Sequence, residues 1–369
     1  MKKVIKQVAG IDVAQKELVV CLGRMYDNWE PELYAHKVFA NTEEGIKRLS
    51  GWAKKQSDPE TGVRFVMEAT GVYHERLAYC LEGNGDEVSI ILPNKISSYM
   101  RTLDTNTITD KTSSEAITRF GLERSLNVWH RPQETYRHMR QLTRERDQLV
   151  TERTMLKNFL HAEQSEAFPD ASSINRIHER IALLDKQEKE IMKQINQLVA
   201  ANEKVKESIE LITSIPGFGL LTGAIILAET NGFDLIANRR QLASYAGFDV
   251  REKQSGTSVK GIPRISKKGN RHLRKAMHLP ALSAIRHDQS FKELYIRLVS
   301  KHGIKMKAAV AIQRKVLELA YTLCKTKTRY VANYEQQKKE AADGIVSNQK
   351  NQGNEQQSAI SPNRLVNTA

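Results

Sequence analysis

The sequence predicts an α/β domain with a mixed sheet, then a long helical spacer, then a mainly helical C-terminal region. Short apolar strands alternate with amphipathic helices over the first 130 residues, leucines then repeat every seven residues, and helical patterns with loops follow. The chain has 369 residues, which at about 150 residues per domain suggests two or three domains. We therefore predict domains at 1–130, 131–212 and 213–330, with a disordered tail at 331–369 that is rich in Gln, Asn and Ser.

The first domain is predicted from runs of apolar residues that end at turn signals. Two strands joined by a short polar linker come first, and strands and helices alternate after them. The dipeptides around Gly83 stop one helix, and Pro93 ends the strand that follows. The predicted strands are Val8–Val13, Leu18–Leu22, Val63–Met67 and Val88–Leu92, and the predicted helices cover residues 43–54, 72–83 and 110–121.

The spacer is predicted from two apolar stripes with helical periodicity. Leucines seven residues apart begin at Leu142, and a second stripe runs from Ile174 to Ile212, interrupted by Glu188 and Asn202. The break at Phe168–Asp170 is typical of a hairpin tip, so we predict two long antiparallel helices. A helical linker within one chain and a dimerising coiled coil fit this pattern equally well.

The net charge of the chain is unevenly distributed. The whole sequence carries +14, whereas residues 1–130 carry 17 basic and 18 acidic residues and residues 239–329 carry 22 basic and 5 acidic residues. The later segment therefore holds more than the entire excess of positive charge. Such a segment favours a polyanionic partner, most often nucleic acid.

Composition excludes several other classes of protein. The apolar share of 40% is enough to offset chain entropy, which excludes wholesale disorder. No apolar run approaches the roughly 20 residues that span a bilayer, and the N-terminus lacks the pattern of a secretory signal, so we expect no membrane partner. The three cysteines are far apart in sequence, which fits a reducing cytoplasm and argues against a zinc site.

Three carboxylates in the first domain could hold a metal ion. Asp12 lies within an apolar strand, Glu68 ends a second strand, and Asp110 opens a predicted helix. Acids on adjacent strands and a nearby helix can converge on a hard divalent cation such as Mg²⁺, which supports phosphodiester chemistry. Two simpler interpretations stay open: Asp110 could be a helix N-cap, and Asp12 could be a turn acid at a strand end.

The segment Ser214–Gly219 combines proline and two glycines before an apolar run. A Pro-Gly-x-Gly turn that opens a helix presents backbone N–H groups to a phosphate, and glycine permits a close approach. The turn is similar to the hairpin of helix-hairpin-helix DNA-binding elements, with Gly217 and Gly219 as the contacts. A plain junction between two helices is the alternative interpretation.

A loop of small residues from Gln254 to Gly261 precedes a run of basic residues. Ser255 in this loop is a candidate nucleophile, because clustered cations can stabilise the charge that develops when serine attacks a phosphate. A flexible basic loop that contacts only the DNA backbone is the alternative. The candidate phosphate contacts of this region are Lys260, Arg264, Lys267, Arg271 and Arg274.

Taken in order, these motifs identify a family. The chain resembles the insertion-sequence-110 family of transposases, which also contains the Piv-type DNA invertases, over roughly residues 7–330. The resemblance is carried by Gly10-Ile11-Asp12, Met67-Glu68-Ala69-Thr70-Gly71-Val72-Tyr73, Thr109-Asp110-Lys111, Ser214-Ile215-Pro216-Gly217-Phe218-Gly219, Tyr245-Ala246-Gly247-Phe248 and the run from Gln254 to Arg274.

The resemblance implies a RuvC-like (RNase H-type) first domain, a coiled-coil spacer and a C-terminal transposase domain. It implies that Asp12, Glu68 and Asp110 bind Mg²⁺ and that Ser255 attacks DNA to form a covalent intermediate. Donor and target DNA are the implied partners, and some members of the family use a non-coding guide RNA. Members act as homodimers that pair into tetramers on DNA.

The fourth acid of the family pattern is absent here. The family places it one helical turn after the third, and this chain has Ser113 at that position. The next carboxylate is Glu115, which lies about 140° around the helix from Asp110. Glu115 therefore falls on a different face of the helix, and the metal site is one charged ligand short.

Three functions fit these observations. The leading one is a serine- and Mg²⁺-dependent DNA recombinase of a mobile element. The second is a RuvC-like nuclease or junction resolvase that cuts with metal-activated water. The third is a catalytically decayed derivative that still binds nucleic acid.

Overall fold

The computed structural model describes residues 2–103, 107–252, 254–255, 259–261 and 263–332. The chain divides into two compact units, Met1–Arg131 and Pro132–Ala369. The predicted tail lies outside the described residues from position 333 onward. None of the described helices combines the length and the apolar character that a bilayer span requires.

The first unit contains a five-stranded mixed sheet in the order β3-β2-β1-β4-β5. The antiparallel strands are β1 (Val4–Val13), β2 (Glu17–Tyr26) and β3 (Pro31–Ala40), whereas β4 (Arg64–Glu68) runs parallel to β1, and β5 (Glu87–Ile91) runs parallel to β4. The prediction of a mixed sheet is confirmed.

Helices cover both faces of this sheet. The helices of the unit are α1 (Glu43–Gln56), α2 (Tyr73–Gly83), α3 (Pro93–Met100) and α4 (Asp110–Glu123). Alternate residues of β1 face opposite sides, so Ala9 and Ile11 pack in one apolar cluster with α1 and α2, and Val8 packs in another with α3 and α4. Both faces of the sheet are therefore covered by helices. The alternation of side chains along β1 decides which of them face α4.

Two elements of this unit were not predicted. Strand β3 lies at the edge of the sheet and is largely exposed, so its sequence lacks the alternation that marks a half-buried strand. Helix α3 starts at Pro93, which we interpreted only as the end of a strand. Proline at the first position of a helix is favourable, because the missing N–H group would have no partner there.

The second unit begins with two long helices, α5 (Glu134–Gln164) and α6 (Ala171–Ala200). They form an antiparallel hairpin whose outer part is held by an apolar cluster that includes Leu156 and Leu184. Glu188 interrupts the apolar stripe because its carboxylate forms ion pairs with Arg146, at 2.6 Å, and with Arg153. The predicted helical hairpin is confirmed, and its role as a coiled coil stays a prediction.

The second long helix ends earlier than predicted. The apolar stripe predicts a helix that continues to residue 212, but α6 ends at Ala200 and a separate helix, α7 (Glu203–Thr213), follows. Asn202 is the N-cap of α7, and its Oδ1 accepts the Val205 N–H at 3.2 Å. Asparagine at this position starts a new helix, which explains why it interrupts the apolar stripe.

The rest of the second unit is mainly helical, as predicted. The helices are α8 (Leu220–Thr230), α9 (Arg239–Ala246), α10 (Arg271–Ala276), α11 (His278–His287), α12 (Gln289–His302) and α13 (Lys305–Thr326). Between α9 and α10 lie four two-residue strands, β6 (Val250–Arg251), β7 (Gln254–Ser255), β8 (Val259–Lys260) and β9 (Arg264–Ile265), of which β6 pairs with β9 and β7 with β8.

Candidate active site

The structure places the two predicted strand acids at the same end of neighbouring strands. Ile11 of β1 pairs with Met67 of β4 in parallel register, and Asp12 and Glu68 each follow directly. Asp12 has the same parity as Val8, and Glu68 the same parity as Val66, so both carboxylates belong to the face that α4 covers. Asp110, the first residue of α4, lies on that face as well.

The three carboxylates interact electrostatically. Partial burial raises the pKa of Asp12 above the ordinary value, and the negative charge of Asp110 raises it further. Partial burial also raises the pKa of Glu68, with a further increase from Asp12. Asp12 is therefore repelled by both other acids, and a cation shared by the three carboxylates would offset this repulsion.

Close packing of α4 on β1 brings Asp110 towards Asp12. A Cβ added at Gly10 would overlap Thr118 Oγ1 and lie 2.5 Å from the Thr118 backbone nitrogen and 2.7 Å from the Ser114 carbonyl oxygen. Thr118 Oγ1 donates to the Cys21 carbonyl oxygen at 3.0 Å, which fixes α4 to the neighbouring strand β2. Only glycine allows this approach.

Asp110 is not the N-cap of its helix. Thr109 is the cap, and its Oγ1 accepts the Thr112 N–H at 3.2 Å. Asp110 occupies the next position, and its exposed side chain makes no capping bond. The interpretation of Asp110 as a cap is therefore wrong, and its carboxylate stays available for a ligand.

Ser113 and Glu115 lie where the helical spacing predicts. Helix α4 starts at Asp110, so Ser113 is one turn further on and half-buried. Glu115 faces the other side of the helix, where its carboxylate lies 3.0 Å from His36 Nε2 of the edge strand β3. Glu115 therefore does not replace the absent fourth acid.

These acids have the chemistry of a site for a hard divalent cation. Oxygen donors from carboxylates are the ligands that Mg²⁺ prefers. Among the described residues, no three His, Cys, Asp or Glu side chains already lie close enough together to hold a metal ion. Partial burial is the main reason why the pKa values of Asp12 and Glu68 are raised, and a neighbouring acid adds to it in each case, so a bound cation would stabilise the charged forms of both side chains.

The Pro-Gly turn of the second unit packs against its own helices. Gly217 has a positive φ of 87°, and a Cβ there would lie 2.6 Å from Ser283 Oγ and 3.1 Å from the Pro280 carbonyl oxygen. Gly219 is the exposed N-cap of α8. This arrangement explains Gly217 by internal packing, and the similarity to a helix-hairpin-helix element stays a prediction.

The candidate nucleophile lies on a short β-hairpin. Ser255 is the second residue of β7, and it pairs with Val259 of β8. Its side chain lies outside the part of the chain that the structure describes, as does that of Lys260. The base of this hairpin is described, and β6 and β9 join there through Val250 and Ile265.

The predicted phosphate contacts differ in their surroundings. Arg264, Lys267 and Arg271 are exposed, as a nucleic-acid contact requires. Arg274 is only half-exposed, and its Nη1 donates to the Ala246 carbonyl oxygen at 2.7 Å. Lys275, on the same helix, is paired with Asp147. Phosphate binding by these residues stays a prediction, and Arg274 has a structural contact as well.

A buried carboxylate that the sequence reasoning missed lies beside this region. Glu229 is 2% exposed, and Arg144 binds it through two contacts of 2.8 Å, from Nε and Nη2. Asn270 Nδ2 donates to the same carboxylate at 2.6 Å. Burial opposes ionisation of Glu229, but these partners outweigh it and lower its pKa. In the sequence, the signal for this buried acid is the position of Glu229 directly after the apolar run Leu220–Ala228.

Two family models match this chain. The model described as "Transposase" and named for the DEDD transposases of IS110 matches residues 9–169. The model described as "Transposase IS116/IS110/IS902 family" matches residues 209–296. The first match includes all three candidate metal ligands, and the second includes the Pro-Gly turn and the segment of Ser255.

Curated relatives are similar along most of the chain. The pilin gene-inverting protein of Moraxella bovis is 26% identical over 323 residues, which cover 86% of this chain and 95% of the relative. The transposase for insertion sequence element IS1111A of Coxiella burnetii is 22% identical over 351 residues, covering 88% of this chain and 91% of the relative. Among solved structures, the match to Thermus thermophilus RuvC covers 33% of this chain and 99% of the RuvC chain, with 11% sequence identity and a TM-score of 0.26.

Proposed function

Because this chain belongs to the IS110 family of transposases and is a DNA transposase or recombinase, we propose that it uses a covalent serine–DNA intermediate with the assistance of magnesium. Ser255 is the nucleophile in this proposal, and Asp12, Glu68 and Asp110 are the metal ligands. The observation that supports it is that Asp12, Glu68 and Asp110 lie on one side of the sheet and that Asp12 interacts electrostatically with each of the other two, in a chain that matches transposase family models.

The proposed reaction exchanges one phosphodiester for another. The Ser255 hydroxyl loses its proton and attacks a phosphate, which forms a serine–phosphate ester and releases a sugar hydroxyl. A sugar hydroxyl of the partner strand then attacks this ester, restores the DNA backbone and releases serine. The number of phosphate esters is conserved, so no external energy source is needed.

Each group of residues has a separate role in this proposal. Asp12, Glu68 and Asp110 would hold Mg²⁺, which when bound neutralises charge on the reacting phosphate. Arg264, Lys267 and Arg271 are exposed cations in the segment that carries the serine, and they would bind the DNA backbone. Ser113 would contribute a hydroxyl or a bound water where the family has a fourth carboxylate.

Recombination between a donor and a target DNA tests the serine. We expect Ser255→Ala to abolish strand exchange, because no other group replaces the nucleophile, whereas binding to DNA should persist. Ser290→Ala, on helix α12, is a matched control outside the proposed site. Undiminished recombination by Ser255→Ala would exclude the serine mechanism.

A metal-dependent nuclease or resolvase is the second candidate. The placement of Asp12, Glu68 and Asp110 supports it, whereas Ser113 weakens it, because hydrolysis by two metal ions depends on a full set of acids. Hydrolysis needs the carboxylates but not Ser255. In this case Asp12→Ala abolishes cutting, Ser255→Ala does not, and no covalent adduct forms. Loss of all DNA rearrangement with binding retained would instead indicate a decayed derivative that only binds nucleic acid.

We further propose that the protein acts as a homodimer that pairs into a tetramer on DNA, with a guide RNA as an additional partner. The helical hairpin offers a contact surface, because Phe159 and Phe168 near its tip are 63% and 92% exposed. Changing both to serine should shift the protein to monomer in light scattering, and an unchanged mass would exclude this surface.

A guide RNA should co-purify with the full chain.

A further inference from the structure

Two residues that bracket the serine hairpin are bound to each other. Tyr245 lies at the end of α9, and Asn270 lies directly before α10, so the segment between them contains β6 to β9. The Asn270 backbone N–H donates to the Tyr245 carbonyl oxygen at 2.7 Å. This bond closes the base of the segment that carries Ser255.

Both bracketing residues also bind Glu229. The Tyr245 hydroxyl donates to the Glu229 carbonyl oxygen at 2.8 Å, and Asn270 Nδ2 donates to the Glu229 carboxylate at 2.6 Å. Arg144 of α5 binds both oxygens of that carboxylate and shares Oε2 with Asn270. One buried glutamate of α8 therefore connects both ends of the segment to the long helix α5.

The segment above this base is closely packed. A Cβ at Gly269 would lie 2.7 Å from the Gly247 nitrogen, so the two ends touch through glycine backbones. The Ser266 N–H donates to the Asp249 carbonyl oxygen at 2.7 Å, and β6 pairs with β9 directly beyond. A shift at the base would therefore displace β6 and β9, the strands that flank the Ser255 hairpin in the sequence.

We infer that Glu229, Arg144 and Asn270 are positioning residues that set the orientation of the Ser255 hairpin for attack on DNA. This inference rests on the proposed serine mechanism. None of the three needs to contact the substrate, because their effect passes through the base of the segment. Misplacement of a nucleophile by about 1 Å from a distant change can cost about 100-fold in rate.

Asn270 allows the positioning role to be separated from helix capping. Its Oδ1 accepts the His272 and Leu273 N–H groups at 2.9 and 3.1 Å and so caps α10, whereas its Nδ2 makes the bond to Glu229. Serine and aspartate are both good N-caps. Asn270→Ser therefore keeps the cap and removes the link, and Asn270→Asp keeps the cap and places a second carboxylate beside Glu229.

Asn202→Ser is the matched control, because Asn202 also caps a helix of the second unit. For each full-length variant we would measure the DNA dissociation constant, the thermal midpoint and the rate of strand transfer at saturating DNA. We expect both Asn270 variants to lose about 10- to 100-fold in rate at saturating DNA, with DNA binding unchanged. Their thermal midpoints should lie below that of Asn202→Ser, because each variant loses a hydrogen bond to the buried Glu229 carboxylate.

Ser255→Ala is measured in parallel, so that the two proposals can fail separately. Wild-type rates for both Asn270 variants beside an inactive Ser255→Ala would overturn the positioning role alone. A loss of rate that is explained by weaker DNA binding, or that disappears at temperatures well below the midpoint of the variant, would also overturn it. Full activity of Ser255→Ala would exclude the serine mechanism, and the positioning role would fall with it.

Discussion

Asp12 and Glu68 lie side by side at the ends of two parallel strands, each one residue beyond the paired Ile11 and Met67. Their shared face is covered by α4, whose first residue is Asp110. The site therefore depends on strand register and on how closely α4 approaches β1.

Gly10→Ala should disrupt the site without changing any acid. The added methyl group would overlap Thr118 and force α4 away from β1. We expect the free energy of unfolding to fall by about 1–3 kcal/mol, together with a loss of recombination. Chemical denaturation and the recombination assay measure the two effects.

Gly51→Ala is the control for this change. Gly51 lies within α1, and among the described residues no atom lies within 4 Å of a Cβ added there. Alanine favours a helix interior by about 1 kcal/mol over glycine. Gly51→Ala should therefore be neutral or stabilising, and equal losses from both substitutions would contradict the role of close packing.

Magnesium should stabilise the wild-type protein through Asp12. Because the pKa of Asp12 is raised, its charged form is disfavoured by folding, so this carboxylate lowers stability as pH rises through its folded pKa. A cation bound to the charged form offsets this loss, by about 2.7 kcal/mol at 100 times its dissociation constant. Thermal unfolding with and without MgCl₂ at neutral pH measures the effect.

Asp12→Asn should be at least as stable as the wild type without metal and should gain much less from Mg²⁺. Asp27→Asn is the matched control, because Asp27 is exposed in a turn. It should respond to Mg²⁺ as the wild type does. An equal response of all three proteins would show that Asp12 is not a metal ligand.

Ser113→Asp should complete the acid set. The new carboxylate would lie one turn after Asp110 on α4, near the positive end of the helix dipole. We expect tighter Mg²⁺ binding in calorimetry and lower stability without metal, because one more negative charge joins the cluster. Glu115→Gln should leave Mg²⁺ affinity unchanged, since Glu115 faces His36. Unchanged affinity for Ser113→Asp would place the metal elsewhere.

Arg144→Met should destabilise the second unit by leaving Glu229 buried without its cation. Removal of one partner from a buried pair costs about 3–5 kcal/mol. The side chain of Arg144 is 47% exposed, so we expect about 2–3 kcal/mol. Arg176→Met removes an exposed pair with Asp170 and should cost less than about 1 kcal/mol.

The cost of Arg144→Met should depend on pH. Since the pKa of Glu229 is lowered in the fold, its stabilising contribution is present above the ordinary carboxyl pKa and is lost as pH falls through the folded value. The wild type and Arg144→Met should therefore differ most at neutral pH and converge in acid. Denaturation curves that stay equally separated would contradict this role.

The sequence predicts where the three acids lie in the fold, because these residues follow local signals. Asp12 and Glu68 each end an apolar run, and Asp110 begins an amphipathic helix next to a capping threonine. The neighbouring positions of Asp12 and Glu68 follow from the rule that parallel strands end at the same edge of a sheet. The face of Glu115 also followed from helical spacing alone.

The rest depends on contacts between residues that are distant in sequence. Strand β3 is exposed at a sheet edge and has no apolar alternation to reveal it. Glu229 pairs with Arg144, 85 positions earlier, and with Asn270, 41 positions later. No local pattern predicts such partners, so the support beneath the serine hairpin became visible only in the structure.

The most direct test of the serine mechanism is a search for a covalent bond between Ser255 and DNA. Wild-type protein would be incubated with donor DNA and Mg²⁺, denatured, and digested for mass spectrometry, with chelator and Ser255→Ala as controls. The serine mechanism predicts a nucleotide attached to the peptide that contains Ser255, dependent on Mg²⁺ and absent from the variant. Recombined DNA without any such adduct, or an adduct that persists in Ser255→Ala, would contradict it.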